Sequence, residues 1–160
     1  MEGINKLPDE VVLYIISLLP LKDAVRTSVL STRWRYLYAS IPTLEFDFLA
    51  TPVESHGGFM DFIDRLLIFR DRSPVDKFRL SCFYSQVVDP LHLQRWICAV
   101  IRFGIREIQI RFEDSEDVLL PSDLFTCTTL VTLKLNFHSE SGFQVPAKVC
   151  LPSLKLFWRA

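Results

Sequence analysis

The stretch LPDEVVLYIISLL, residues 7–19, decides how the N-terminal part of this chain must fold. Pro8 suits the first position of a helix, where a missing N–H costs nothing. Asp9 and Glu10 place negative charge at the positive end of the helix dipole. Pro20 then ends the segment. Seven apolar side chains fill the positions in between: Val11, Val12, Leu13, Ile15, Ile16, Leu18 and Leu19.

These seven side chains surround most of the helix, because successive residues are about 100° apart. A helix that is apolar on nearly all sides must be covered on nearly all sides. Two short helices follow it, and such a small module cannot bury that surface alone. We therefore expect one side of the helix to pack inward and the other side to bind a partner.

Residues 21–41 predict the two further helices. Asp23 suits the start of the second, which presents Ala24, Val25, Val29 and Leu30 on its apolar side. Ser31 is a suitable N-cap for the third. In the third helix apolar residues recur at steps of three and four, which places Trp34, Leu37, Tyr38 and Ile41 on one face.

Composition excludes several classes of function. The chain has 160 residues, of which 49% are hydrophobic, so it can bury a substantial core. Its formal net charge of −1 argues against electrostatic binding to nucleic acid or to an anionic membrane. The apolar run is shorter than the roughly 20 residues that cross a bilayer, and the N-terminus does not have the pattern of a signal peptide. We expect a soluble intracellular protein.

The N-terminal quarter of the chain resembles an F-box motif, in the version found in plant F-box proteins with leucine-rich repeats of the FBD-associated type. The matching features are Leu7-Pro8-x-Glu10, Ile15-Ile16-Ser17-x-Leu19-Pro20, Lys22-Asp23, Val29-Leu30-Ser31 and Arg33-Trp34-Arg35. The resemblance implies a three-helix module that binds a Skp-family adaptor and through it a cullin–RING ubiquitin ligase, in the nucleus and/or the cytoplasm. By the family pattern, the adaptor-binding residues are Leu7, Pro8, Ile15 and Leu19. The same pattern places Val29 and Trp34 near the surface that contacts the adaptor.

We assign residues 1–43 to this module and residues 44–58 to a connector. Leu44, Phe46 and Phe48 alternate with acidic residues, which predicts a short half-buried strand. The sequence TPVESHGG, residues 51–58, predicts a loop. Helical spacing returns from Phe59 to Arg72, with Asp61, Asp64, Arg65 and Arg70 expected largely outside.

Residues 59–160 carry a repeated strand signature. Leu130-x-x-Leu133-x-Leu135 has the form of a leucine-rich repeat, as have Ile105-x-x-Ile108-x-Ile110 and Val75-x-x-Phe78-x-Leu80. A predicted helix lies between the signatures that begin at Val75 and Ile105, with apolar residues Leu93, Trp96, Ile97, Val100 and Ile101. We predict a mixed α/β chain: the three-helix module followed by a short, irregular solenoid with a parallel sheet, in which neighbouring repeats cover each other. An unrelated α+β domain is the alternative.

The C-terminal segment LPSLKLFWRA departs from this signature, because Phe157 and Arg159 occupy the next two positions. Arg159 would be poorly placed in a buried strand face, and no polar capping unit follows. We expect a member of the family that is shortened at its C-terminus.

The sequence contains no recognisable catalytic motif. The three histidines are far apart, the four cysteines form no CxxC pair, and there is no GxSxG, P-loop or GxGxxG. We expect buried free thiols, surface histidines, an acidic surface turn at residues 113–117, and no metal or cofactor. Trp34 and Trp96 have core spacing, whereas Trp158 could be exposed.

Three functions remain open at this point. The first is a non-catalytic substrate receptor, in which the F-box-like module binds the adaptor and the repeats hold an unknown target protein. The second is a truncated protein that binds the adaptor without recruiting a substrate and so acts as a competitor. The third is an enzyme whose site is assembled from dispersed residues, which would require a deep pocket with converging polar groups.

Overall fold

A computed structural model describes residues 6–19, 23, 27, 32–37, 40–48, 56–84, 88–114, 118–137 and 144–159. Four α-helices lie in these ranges: α1 (Asp9–Ser17), α2 (Thr32–Leu37), α3 (His56–Ile68) and α4 (Pro90–Arg102). Five strands form the sheet: β1 (Thr43–Asp47), β2 (Lys77–Tyr84), β3 (Glu107–Asp114), β4 (Thr132–Phe137) and β5 (Leu156–Arg159). The predicted second helix lies mostly outside the described residues, although Asp23 and Thr27 are helical.

The sheet is parallel throughout and its spatial order is the chain order, β1-β2-β3-β4-β5. α3 connects β1 to β2, and α4 connects β2 to β3. A short 3₁₀ helix, Ser122–Thr126, takes the place of a full helix before β4. Each unit thus adds one strand to the same edge of the sheet, so the prediction of a mixed α/β solenoid with a parallel sheet is confirmed.

The register of the strands aligns the predicted repeat signatures. Phe78, Ile108 and Leu133 are direct neighbours across β2, β3 and β4, and so are Leu80, Ile110 and Leu135. All six side chains are fully buried. β5 continues the register, because Phe157 pairs with Leu133 and Arg159 with Leu135.

The connector contains an additional repeat that the sequence analysis did not recognise. Leu44 pairs with Phe78 and Phe46 with Leu80, so Ile41-x-x-Leu44-x-Phe46 has the same signature and register as the later repeats. Residues 43–47, which we assigned to the module boundary and the connector, therefore form the first strand of the sheet. The half-buried strand predicted there is confirmed, with Leu44 and Phe46 buried.

One backbone carbonyl at the start of each strand links successive repeats. Pro42 O accepts hydrogen bonds from Asp76 N (2.8 Å) and Lys77 N (3.2 Å). Asp76 O accepts in the same way from Arg106 N and Glu107 N, and Arg106 O from Val131 N and Thr132 N. Val131 O accepts from Lys155 N and Leu156 N. We call these four acceptors the ladder carbonyls.

α3 begins and ends earlier than the sequence predicts. Gly57 and Gly58, expected in a loop, belong to its first turn, where backbone N–H groups lack intrahelical partners anyway. The apolar face formed by Phe59, Ile63 and Leu66 is buried as predicted.

The prediction that Arg70 is exposed is wrong. Arg70 follows the end of α3 and is 7% exposed. Its guanidinium donates hydrogen bonds to Ser73 O and Pro74 O, at 3.2 and 2.8 Å, and lies 5.7 Å from the centre of the Phe103 ring. Burial lowers the pKa of Arg70, and the neighbouring charge of Asp71 partly opposes that shift.

α4 is capped at both ends by its own sequence. The Asp89 carboxylate accepts from Leu91 N at 2.7 Å, and Pro90 occupies the first helical position. Gly104 follows the helix with a φ of 77°, in the left-handed region that favours glycine. Leu93, Trp96, Ile97 and Val100 are buried against the sheet, as the spacing predicts.

Candidate functional site

The two described helices of the N-terminal module enclose a small core of their own. Val12 and Ile16 of α1 are fully buried, and Trp34 of α2 is 4% exposed. Ile41 completes this core, which is separate from the core of the repeats. Ile41 also opens the first repeat signature, so this small core ends directly before the first strand of the sheet.

The opposite side of α1 is apolar and exposed. Its four exposed side chains follow the spacing i, i+3, i+4 and i+7, and we call them the α1 stripe: Val11 (41%), Tyr14 (66%), Ile15 (36%) and Leu18 (67%). Residues at this spacing occupy about 100° of a helix surface. The expectation that one side of the helix packs inward while the other remains open is confirmed.

The predicted adaptor-binding residues occupy different environments in the structure. Pro8 is exposed at the N-cap of α1, one residue before its expected position, and Ile15 lies in the α1 stripe. Leu7 and Leu19 are half-buried and pack against the small core, and Trp34 lies within it. Val29 lies outside the described residues. The adaptor-binding role of all six stays a prediction.

Val11, Tyr14 and Leu18 were missing from the predicted set. The sequence could not separate them from the buried residues, because α1 is apolar on almost every side. Only the packing of Val12 and Ile16 against Trp34 shows which side of the helix remains open.

The first turn of α1 is tied to α2 by Arg33. Arg33 Nη2 donates to Leu7 O at 2.6 Å, and Arg33 Nε donates to Asp9 Oδ1 at 2.7 Å. Arg33 Nη2 also forms an ion pair with the same Asp9 oxygen. One guanidinium thus holds both the backbone before Pro8 and the side chain after it.

A second tie joins the end of the module to the repeats. Ser40 Oγ donates to Asp71 Oδ2 at 2.7 Å, and Ser73 N donates to Asp71 Oδ1 at 2.9 Å. Burial alone would raise the pKa of Asp71, but these hydrogen bonds and the charge of Arg70 outweigh it, so the pKa is lowered. The carboxylate therefore favours its charged form at this junction.

The sheet has one polar face, opposite the face covered by the helices. Its charges pair across the strands: Lys77 Nζ lies 3.8 Å from Glu45 Oε1 and 3.5 Å from Glu107 Oε1, and Arg79 Nη1 lies 3.6 Å from Glu45 Oε1. A cleft of about 240 Å³ on this face is lined by Glu45, Asp47, Arg79, Ser81, Gln109 and Arg111, together with Phe46 and Leu80.

Two polar atoms on this face lack a protein partner. Arg79 Nε and Asn136 Oδ1 are buried without a hydrogen bond within the part of the chain that the structure describes. At the far end of the face, Leu156 and Trp158 are 46% and 47% exposed, and Trp158 is adjacent to Lys134 across β4 and β5. The face therefore combines paired charges at one end with exposed apolar groups at the other.

The cysteines and histidines form no catalytic arrangement in the described ranges. All four cysteines are free. Burial, with the nearby charge of Asp47, raises the pKa of Cys82 to about 12, so its thiol is a poor nucleophile. Cys127 is also buried and Cys98 is half-buried, but the prediction of burial is wrong for Cys150, which is exposed in the segment before β5.

His92 is half-buried, contrary to the surface position expected for it. Its Nε2 lies 3.3 Å from Asp64 Oδ2, and Asp64 Oδ1 accepts a hydrogen bond from Trp96 Nε1 at 2.6 Å. This cluster ties α3 to α4. Within the described residues, no group of three or more His, Cys, Asp or Glu side chains could hold a metal ion, and no helix is long and apolar enough to cross a membrane.

The family comparison identifies the N-terminal module. Residues 4–37 match the model of the F-box domain family, and these are the residues that carry the α1 stripe and the Arg33 tie. Residues 4–37 are an F-box domain. The F-box thus ends shortly before the first repeat strand.

Relatives of the whole chain are F-box proteins of Arabidopsis thaliana. The F-box/LRR-repeat protein At4g14103 is 38% identical over 160 residues, which span 97% of this chain and 41% of that protein. The putative F-box protein At3g58860 is 40% identical over 146 residues, and the F-box/LRR-repeat protein At3g59210 is 37% identical over 160 residues. These two alignments span 86% and 95% of this chain, and 32% of each relative.

The chain therefore spans about a third to two fifths of the length of these relatives. No solved structure matches it.

Proposed function

We propose that this chain is a non-catalytic substrate receptor of a Skp–cullin–F-box ubiquitin ligase, acting in the nucleus or the cytoplasm. The F-box domain would bind a Skp-family adaptor, and the repeats would bind a target protein. The ligase would then gain rate from the proximity of target and ubiquitin-transfer machinery, without a catalytic side chain in this chain.

The observation that carries this proposal is the α1 stripe. It is a contiguous exposed apolar surface on the first helix of an F-box domain, where burial by another protein would remove apolar area from water. An amphipathic helix with anchors at i, i+3, i+4 and i+7 is a common way to dock in an apolar groove. Pro8 extends the same surface by one turn.

The polar face of the sheet supports the second half of the proposal. Arg79 Nε is a buried donor and Asn136 Oδ1 a buried acceptor, and a bound polypeptide could supply a hydrogen-bond partner to each. Leu156 and Trp158 offer apolar contacts at the other end of the same face, and aromatic residues are enriched at protein interfaces. The face is shallow and charge-paired, which suits a protein surface better than a small substrate.

The adaptor half is tested by calorimetric titration of the full chain with a purified Skp-family adaptor. The double substitution Ile15→Asp with Leu18→Asp changes only exposed positions, so the fold should persist. We expect affinity to fall at least about 30-fold, the effect of losing a central apolar anchor.

The matched control is Leu91→Asp, which changes a side chain on α4 that is 67% exposed. This control should bind as the wild type does. Equal binding by the wild type and the Ile15/Leu18 variant would show that the α1 stripe is not the adaptor surface. A wild-type chain that does not bind the adaptor at all would contradict the proposed function itself.

A further inference from the structure

The start of α1 has no side-chain N-cap, although Asp9 and Glu10 place negative charge in its first turn. Pro8 is the N-cap and has no side-chain oxygen to accept a hydrogen bond from the first turn. The helix has nine residues, whereas isolated helices shorter than about 12–15 residues are marginal in water. The position of its first turn must therefore depend on contacts from elsewhere in the chain.

Arg33 supplies those contacts from α2. A guanidinium presents several N–H donors in a rigid plane, so it can bind two acceptors at fixed relative positions. Here the two acceptors are the Leu7 carbonyl and the Asp9 carboxylate, which flank Pro8 on either side. The adjacent Trp34 points into the small core, so neighbouring residues of α2 hold α1 at two separate places.

The Arg33 tie fixes the direction in which the α1 stripe faces. Val12 and Ile16 are the fully buried residues of α1, whereas Leu7 at its N-terminal end is only half-buried against the small core, so the Arg33 tie adds to a weaker apolar contact there. Asp9 lies two residues before Val11, the first member of the stripe, so holding Asp9 and Leu7 holds that end. A surface that is already in its binding geometry spares the partner the cost of ordering it.

We infer that Arg33 is a positioning residue for adaptor binding, which acts by holding the turn Leu7-Pro8-Asp9 rather than by touching the adaptor. This inference rests on the proposed function, because it concerns the same surface. It assigns to Arg33 a role different from that of the apolar residues of the α1 stripe. It also gives a reason for the Arg33–Asp9 ion pair to lie beside that apolar surface.

The test measures adaptor affinity and chain stability together for Arg33→Gln, Asp9→Asn and the double variant, in the full chain. We expect Arg33→Gln to weaken adaptor binding about tenfold, because it removes charge-assisted hydrogen bonds on both sides of Pro8. Asp9→Asn should weaken binding less, since the bond to Leu7 O remains. The double variant should bind no more weakly than Arg33→Gln alone, because both changes act on one tie.

Ile16→Val is the control that separates positioning from stability. It removes one methylene from the small core without touching the turn, and such a change commonly costs about 0.5–1.5 kcal/mol. At a similar loss of melting temperature, we expect it to leave adaptor affinity within about twofold. Arg33→Gln binding as tightly as the wild type, or a control that weakens binding equally, would overturn the inference while leaving the proposed function intact. A wild-type chain that fails to bind would remove both.

Discussion

The F-box domain and the repeats differ in how they cover the apolar faces of their helices. Among the described residues, the repeats form one hydrophobic core, and Val12, Ile16 and Trp34 of the F-box domain form a separate one with Ile41. The repeats bury the apolar faces of α3 and α4 against the sheet, but α1 buries one side and leaves the other exposed. Apolar surface that is left exposed for a partner does not contribute to the stability of its own region. We therefore expect core substitutions in the two regions to change the free energy of unfolding by different amounts.

The largest expected effect is in the repeat core. Phe78 is fully buried between β1 and β3, with its ring centre 5.8 Å from that of Phe46. Phe78→Ala should lower the free energy of unfolding by about 3–5 kcal/mol, through lost burial and the cavity that remains. Urea denaturation followed by circular dichroism measures this change in the free energy of unfolding.

Gln109→Ala is the control for this substitution, because Gln109 lies on the polar face of the neighbouring strand. Its effect should stay within about 0.5 kcal/mol. An unchanged urea midpoint for Phe78→Ala would show that the repeats do not supply the main core of the chain.

A smaller loss is expected in the F-box core. Ile16→Ala should cost about 2 kcal/mol, the lower end of the range for such substitutions, because a small module can relax partly around the cavity. The damage should remain local. Alkylation of Cys82 measures this, since burial raises the pKa of Cys82 to about 12 and shields the thiol until the repeats open.

In the Ile16→Ala variant, Cys82 should remain as protected as in the wild type, whereas Phe78→Ala should expose it. Adaptor binding should restore the stability lost in the F-box, because a ligand that binds only the folded state stabilises it. Equally fast labelling of Cys82 in both variants would mean that the two cores unfold as one unit.

The smallest effect is expected at the junction between the two regions. The pKa of Asp71 is lowered in the folded chain, so its stabilising contribution is present above the unfolded pKa and is lost as pH falls through the folded value. Asp71→Asn should therefore destabilise the chain at pH 7 by less than about 1 kcal/mol, since the carboxylate is exposed to solvent. The difference from the wild type should begin to shrink below about pH 4, where an ordinary Asp becomes protonated, and should disappear once the pH falls below the lowered pKa of Asp71.

Thermal unfolding of both proteins at pH 7 and pH 3 provides the comparison. Asp61→Asn, on the exposed side of α3, is the control and should show no such dependence on pH. A difference between Asp71→Asn and the wild type that persists unchanged at pH 3 would exclude the charged hydrogen bonds to Ser40 and Ser73 as its cause.

Much of the repeat region could be predicted from sequence, because its buried positions alternate along strands and the same strand signature recurs, although at irregular spacing. Phe78, Ile108 and Leu133 were identified in this way, and they occupy one row of the sheet. The first repeat was missed because its signature begins at Ile41, inside the segment 1–43 that the sequence analysis assigned to the N-terminal module, and contains Pro42. In the structure Ile41 packs in the small N-terminal core, although it has the first position of the repeat signature.

Positions that depend on contacts between distant residues were less predictable. Arg70 has the spacing of an exposed helical residue in the sequence, but in the structure it lies beyond the end of α3. The Ser73 and Pro74 carbonyls and the Phe103 ring, which contact it there, also lie outside that helix. The direction of the α1 stripe was hidden for a related reason. A helix that is apolar all round has no preferred side until another element packs against it.

Pro42 gives the sheet a defined beginning. Each later residue at the equivalent position both accepts hydrogen bonds through its carbonyl and donates its own N–H to the repeat before it, as Asp76, Arg106 and Val131 do. Proline can accept but has no N–H to donate. Because each linkage uses two donors, a strand placed ahead of β1 would lack one of the two hydrogen bonds that join the later repeats.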